Sequence, residues 1–228
     1  CTIEDVFFQT LNDEVNIGVV PVENSSEGVI NTTLNCLADN EDIKIIGEIY
    51  LNIEHQLAAG NKFNIKDAFA IASHPQALGQ CSKWIGRNIG NIKRLEMPSS
   101  AVAAQYAKEN KNILCIVNAM AIKNYKLKLI KENIQDYSEN KTRFLVIGKI
   151  DVEKTGRDKT SFLIQTPNKP GSLMSVLKPF DKRKINLSKI ETRPSRGNTN
   201  SHDFFIDCEG HINDCLLYTS PSPRDSSP

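Results

Sequence analysis

From its start to about residue 150 the chain alternates short apolar runs with amphipathic stretches. Residues 2–11 have helical spacing, with Thr2 placed as a cap and Glu4 and Asp5 in the first turn. NIGVVPV at 16–22 reads as a buried strand, 29–37 as a helix and 43–53 as strand-rich. AFAIA at 68–72 predicts a strand, and a helix follows from Pro75 to about Ile85. Segments 92–96, 101–107 and 113–117 continue the alternation. In NKTRFLVIG, 140–148, the polar side chains of Asn140, Thr142 and Arg143 run straight into an apolar strand. This βαβα order predicts an α/β fold with mostly parallel sheets.

After DVEKTGRDK, 151–159, which reads as a charged linker, the pattern starts afresh. It gives a strand at 160–165, a turn at NKPG, a helix at 172–181, a strand at 185–191, a turn at RGNTN and a strand at 202–207. That β-α-β-β order predicts the start of a ferredoxin-like domain. The closing YTSPSPRDSSP is rich in Ser and Pro, with Tyr218 as its one large apolar side chain, and cannot bury a core. The predicted division is therefore 1–150, a linker at 151–159, a small domain at 160–215, and a disordered tail at 216–228 that is a candidate non-native addition.

Composition narrows the function more than the fold. Of 228 residues, 24% are charged and 39% hydrophobic, with a net charge of +1. Neither a basic face for nucleic acid nor a field for a membrane surface is advertised, and no apolar run reaches transmembrane length. The six cysteines form no CxxC and read as reduced, cytosolic-type thiols. The four histidines show no metal-ligand spacing, so no metal site is predicted.

Three polar clusters are predicted to share one position, after a strand and before a helix: Glu23-Asn24-Ser25-Ser26, Ser73-His74 and Pro98-Ser99-Ser100. Helix N-termini of this kind attract carboxylate or phosphate, and ligands of α/β sheets lie beyond the carboxyl ends of strands. Arg143 could add a forked bond to a carboxylate. A Gly-rich phosphate loop is missing, which disfavours a nucleotide. Ser and Asn also serve as plain helix caps, and His55 and His74 as structural residues first. The residues thus point to a small-anion-binding α/β protein with an appended domain.

PVENSSEG (21–28), ASHPQALGQC (72–81) and NKTRF (140–144), in this order and spacing, resemble the prephenate dehydratase family over about residues 1–150. KPGSLMSVL (169–177), INLSKIETRP (185–194) and DFFIDCEGH (203–211) resemble the ACT domain that follows the dehydratase in that family. The resemblance implies a two-lobed, solute-binding-protein-like dehydratase domain and an incomplete ferredoxin-like ACT domain. It implies decarboxylating dehydration of prephenate to phenylpyruvate, in phenylalanine biosynthesis, without a cofactor. Thr142 would be the catalytic hydroxyl. Glu23, Asn24, Ser25, Ser73, Gln80, Ser99, Ser100 and Arg143 would bind substrate. L-phenylalanine would act as effector at Gly171, Ser172, Leu173 and Met174 on one side and Glu191, Thr192, Arg193 and Pro194 on the other. Glycine at 171 would allow close backbone approach to that ligand. The family forms this pocket between subunits, which implies a homodimer or homotetramer. A cytoplasmic location follows, with a plastid left open.

The family's opening strand and the last ACT helix and strand have no counterpart here, so the chain reads as truncated at both ends. Asn118 stands where the family commonly has Ser. Two alternatives stay open: an arogenate dehydratase, or a non-catalytic two-lobed small-anion binding protein. An ACT-bearing hydroxylase would need an iron site of His and carboxylate, for which no spacing exists.

Overall fold

The computed structural model describes residues 1–61, 63, 68–195 and 198–214. The tail at 216–228 and the first part of the RGNTN turn, 196–197, lie outside the described residues. The element order is α1 (Ile3–Leu11), β1 (Ile17–Asn24), β2 (Gly28–Val29), α2 (Asn31–Asp39), β3 (Lys44–Asn52), β4 (Gln56–Ala59) and β5 (Ala70–Ser73). There follow α3 (Pro75–Gln80), α4 (Ser82–Asn88), β6 (Lys93–Glu96), α5 (Ser100–Glu109), β7 (Ile113–Val117), α6 (Ala119–Tyr125), β8 (Lys128–Lys131) and β9 (Lys141–Gly148). The last elements are β10 (Lys159–Pro167), α7 (Ser172–Lys182), β11 (Leu187–Ser195) and β12 (Asn198–Glu209). Among the described residues no helix is long and apolar enough to cross a membrane.

Two compact units make up the chain. One takes in Cys1–Gly18, Leu34–Gly47 and Val146–Pro228, the other Val19–Thr33 and Glu48–Leu145. A four-stranded sheet has the order β2-β1-β9-β3. In the first unit Thr2 caps α1 with a reciprocal box: its hydroxyl accepts from Asp5 N at 3.2 Å and its own N–H reaches the Asp5 carboxylate at 2.7 Å.

The second unit is built on a sheet of order β6-β5-β7-β4-β8. Its pairing corrects the expectation of mostly parallel sheets. β5 runs parallel to β6 and β7, but β4 is antiparallel to both β7 and β8. The reason lies in the connections. β5, β6 and β7 are joined through helices, which parallel neighbours require. Helix α6 carries the chain from β7 across β4 to β8, and β4 fills the gap in the opposite sense. The single helix expected from Pro75 breaks at Cys81 (φ −112°, ψ 9°) into α3 and α4.

Both faces of this sheet are covered, and period-2 alternation sorts its side chains. Leu57, Ile71, Leu114 and Ile116 face one way, against Ala77, Leu78 and Ile85 of α3 and α4. Ala58, Ala70, Ala72 and Cys115 face the other, against Ala103, Ala104 and Ala107 of α5. Alanine on alanine lets α5 lie close to the strands. Burial pushes the thiols of Cys81 and Cys115 up to about 12, so both are small apolar fillers at neutral pH.

The third sheet, of order β10-β12-β11, belongs to the first unit. β12 is antiparallel to both neighbours, so β10 and β11 run the same way with β12 between them. Phe180 of α7 packs on Cys208 and meets Phe162 edge-on at 5.9 Å.

The close seating of α5 depends on one further position. A Cβ on Gly60 would lie 2.8 Å from the carbonyl oxygen of Ala107. Backbone cannot yield as a flexible side chain would. Gly60→Ala is expected to lower stability by about 1–3 kcal/mol, the range for overpacking. Denaturant unfolding measures this, and an unchanged midpoint would contradict so close an approach.

Candidate active site

The first of the three polar clusters is not a helix mouth. Asn24 ends β1, and Ser25, Ser26 and Glu27 turn the chain back into β2, with Gly28 at φ 85°. Asn24 Oδ1 accepts the backbone N–H groups of Ser26 (2.9 Å) and Glu27 (3.2 Å), a local turn that Asn favours. Those two bonds decide which end of the amide points where. Nδ2 must face away from the turn, and it donates to Asn140 Oδ1 at 3.0 Å and to Thr142 Oγ1 at 2.8 Å. Because the Thr142 oxygen already accepts, its own proton is left for another acceptor.

The same logic runs on along a chain of side chains. Asn140 uses Oδ1 toward Asn24, so its Nδ2 donates, to Gln80 Oε1 at 3.1 Å. His55 Nε2 lies 2.7 Å from that same oxygen and therefore carries a proton. Gln80 Nε2 turns toward Glu27 at 3.4 Å. Asn24, Asn140 and Thr142 are all buried. Losing a partner in such a network would leave a buried polar group unsatisfied, at a cost of about 1–3 kcal/mol.

This chain forms one wall of a cavity of about 410 Å³, which Asn24, His55, His74, Gln80, Ser99 and Thr142 line together with Ser100, Gln76 and a few apolar groups. It opens beyond the carboxyl ends of β1, β5 and β6, where α/β sheets hold ligands. His74 caps α3, its Nδ1 accepting the Gln76 N–H at 3.3 Å. Ser99 caps α5, its hydroxyl oxygen accepting from Val102 N at 3.2 Å. Ser73 is not in this lining. It closes β5, is fully buried, and donates its hydroxyl to the Ile116 carbonyl of β7 at 2.7 Å.

The expected substrate-binding set divides in two. Glu23, Ser25 and Arg143 line a second cavity of about 260 Å³ with Tyr50, Glu139 and Lys141. Strand geometry is the reason: neighbours 23 and 24, like 142 and 143, project to opposite faces. Arg143 Nε donates to Glu48 Oε2 at 2.8 Å, and its side chain is only 10% exposed. The guanidinium expected beside Thr142 is thus engaged on the far side of the strand. Asn140, absent from the expected set, joins the hydrogen-bonded network beside the cavity. Its position two residues before Thr142, at the entry to β9, is the signal that could have found it.

The stretches expected to bind an effector lie in the first unit. Leu173 and Met174 are exposed in the first turn of α7, and Glu191, Thr192, Arg193 and Pro194 belong to β11. Gly171 precedes α7 at φ 85°, but a Cβ there would meet nothing within 4 Å. Within this chain, what favours glycine there is its positive-φ backbone conformation. Arg193 lies over the Phe205 ring at 4.7 Å and donates to Asn35 of α2.

A polar cavity whose wall presents an oriented hydroxyl, two imidazoles and carboxamides is the candidate small-molecule site of this α/β scaffold. The chain belongs to the prephenate dehydratase family, whose model, described as prephenate dehydratase, matches residues 1–152. It is 43% identical over 215 residues to a bifunctional chorismate mutase/prephenate dehydratase of Stutzerimonas stutzeri, covering 94% of this chain but only 59% of that protein. It is 38% identical to a prephenate dehydratase of Methanocaldococcus jannaschii, covering 92% of this chain and 76% of that one. Among solved structures, the prephenate dehydratase of Arthrobacter aurescens in complex with L-Phe superposes with a TM-score of 0.84 at 30% identity, covering 96% of this chain and 73% of that one.

The Arg143–Glu48 pair predicts a stability effect separate from binding. Glu48→Gln keeps the shape and removes the charge, and is expected to cost about 1–3 kcal/mol in denaturant unfolding. An unaltered midpoint would mean that Arg143 is not held by this carboxylate.

Proposed function

We propose that this chain catalyses the decarboxylating dehydration of prephenate to phenylpyruvate. The observation that carries this reading is Thr142: a buried hydroxyl whose oxygen accepts from Asn24, leaving its proton to face a substrate in the larger cavity. Prephenate is a dianion with a ring carboxylate and a C4 hydroxyl. As the bond from the ring to its carboxylate breaks, the electron pair moves into the ring and the C4–O bond breaks in turn. Carbon dioxide leaves, the ring becomes aromatic, and the departing hydroxyl takes up one proton to leave as water. Aromatisation supplies the driving force. The protein's part is to hold the substrate and to place a donor against the leaving oxygen, where charge develops. Thr142 gives that hydrogen bond, and Asn24 stops the hydroxyl from rotating its proton back into the wall.

The catalytic part in this reading is residues 1–150, a two-lobed dehydratase domain, with the linker at 151–159. Residues 160–215 are read as a ferredoxin-like ACT domain. The strand order β10-β12-β11 and the crossing helix α7 support it, since the split β-α-β pattern has that order in its first three strands. L-phenylalanine is its proposed effector and a dimer or tetramer its proposed assembly. The L-Phe complex of the Arthrobacter aurescens relative supports the choice of ligand.

Two variants test the hydroxyl. Thr142→Ala is expected to lower turnover of prephenate at least about a hundredfold, the scale for losing a positioned donor, with little change in KM. Asn24→Asp turns an acceptor toward Thr142 and should capture its proton within the wall, with a loss of about tenfold or more. Near-normal turnover in Thr142→Ala would sink the assignment, and preference for arogenate in a parallel assay would move the substrate to the amino analogue.

Effector binding has its own readout. Titrating the complete protein with L-phenylalanine in a calorimeter should give binding heat, and the ligand should inhibit turnover. Gly171→Val should weaken both, because valine is strained at positive φ. No heat and unchanged kinetics at millimolar phenylalanine would leave the small domain a dimerisation element only.

A further inference from the structure

The proposed substrate is a dianion, yet among the described residues that line the larger cavity none is lysine or arginine. Arg143 is on the other face of β9, engaged by Glu48. The lining groups able to carry positive charge are His55 and His74.

A second proton costs these two imidazoles different things. His74 caps α3 through Nδ1, which accepts the Gln76 N–H. A proton on that nitrogen would destroy the acceptor and with it the cap. His55 enters its ring contact only as a donor. Gln80 Oε1 is an acceptor by its bond from Asn140, whose own direction follows from Asn24 and the turn amides. The Nε2 proton of His55 is therefore retained in both charge states, and Nδ1 can take a second proton without breaking that bond. The other titratable groups about it are mostly carboxylates. Glu54 is its chain neighbour, and Glu27 accepts from the same Gln80. Asp136 lies on the segment whose Ile134 and Gln135 bond the His55 backbone, and its carboxylate accepts the Lys83 and Trp84 amides. His74 is the other ionisable group in the lining.

We propose that His55 is the charged binding group of this site: its imidazolium, pinned by Gln80 through Nε2–H, binds a carboxylate of the substrate. Thr142 then meets the leaving oxygen from the wall while His55 meets an anion, and the two are tied through Gln80, Asn140 and Asn24. The inference rests on the prephenate reading above. Substrate affinity becomes pH-dependent, strong where His55 is charged and lost as pH rises through the range in which histidine gives up its proton.

The test is kcat/KM for prephenate across about pH 5.5–9, with histidine ring NMR of the complete chain alongside. In the wild type kcat/KM should fall about tenfold per pH unit on the alkaline side. His55→Gln keeps a donor toward Gln80 without the charge. It should lose that fall and raise KM about tenfold at about pH 6, with kcat within about threefold. His74→Gln should keep the fall. An alkaline fall that survives in His55→Gln overturns the proposal. In the NMR arm, prephenate should raise the titration midpoint of His55 by about one unit, the equivalent of tenfold tighter binding to the charged form. A midpoint that prephenate leaves unmoved also overturns it. A wild-type chain that binds prephenate without turning it over would instead overturn the dehydratase reading, and the NMR arm would still decide the role of His55.

Discussion

Two backbone N–H groups, of Ser26 and Glu27, set the chemistry of the whole site by taking the carbonyl end of the Asn24 side chain. Everything downstream is a choice of direction. With Oδ1 occupied, Nδ2 must donate to Thr142 and Asn140, Asn140 must donate to Gln80, and Gln80 must accept from His55. Neutral hydroxyls and amides can each act as donor or acceptor, so a network of them is ambiguous until one member is fixed from outside. Here the β1–β2 turn fixes it, and the Thr142 hydroxyl, which accepts from Asn24, keeps its proton for another acceptor.

The scaffold that brings these groups together is stiff because it is packed on both faces. Alternating large and small side chains along β4, β5 and β7 give one face to α3 and α4 and the other to α5. The caps of α3 and α5, His74 and Ser99, are thereby delivered to the same cavity from either side of the sheet. Cap and lining are compatible roles. The atom that caps is spent on the backbone, and the rest of the side chain still shapes the cavity.

Much of the candidate site was legible in the sequence, and the part that was not has one physical origin. Asn24, Gln80, Ser99, Ser100 and Thr142 were named from motifs and do share a cavity. Glu23, Ser25 and Arg143 were named with them and line a different one. A motif is a string of consecutive residues, whereas a strand sends consecutive residues to opposite faces. Ser73 went astray by one position in the strand end, which turned its hydroxyl onto Ile116. Asn140 was visible in the string but had no reason to be chosen until its amide was seen to bridge Asn24 and Gln80.

The sequence by itself determined the α/β class, most helices and strands and the family, because these follow from local periodicity and short motifs. It also held the cap of α1 in Thr2 and Asp5, a purely local device. Tertiary structure decided the rest. The antiparallel insertion of β4 between β7 and β8 depends on which distant strand fills a gap, a long-range contact that leaves no local mark. The pairing of Arg143 with Glu48, 95 residues apart, and the bond from Asn24 to Thr142, 118 apart, exist only once the strands are laid side by side. Charge and proton direction at the site are properties of those contacts, so they became fixed only in the folded chain.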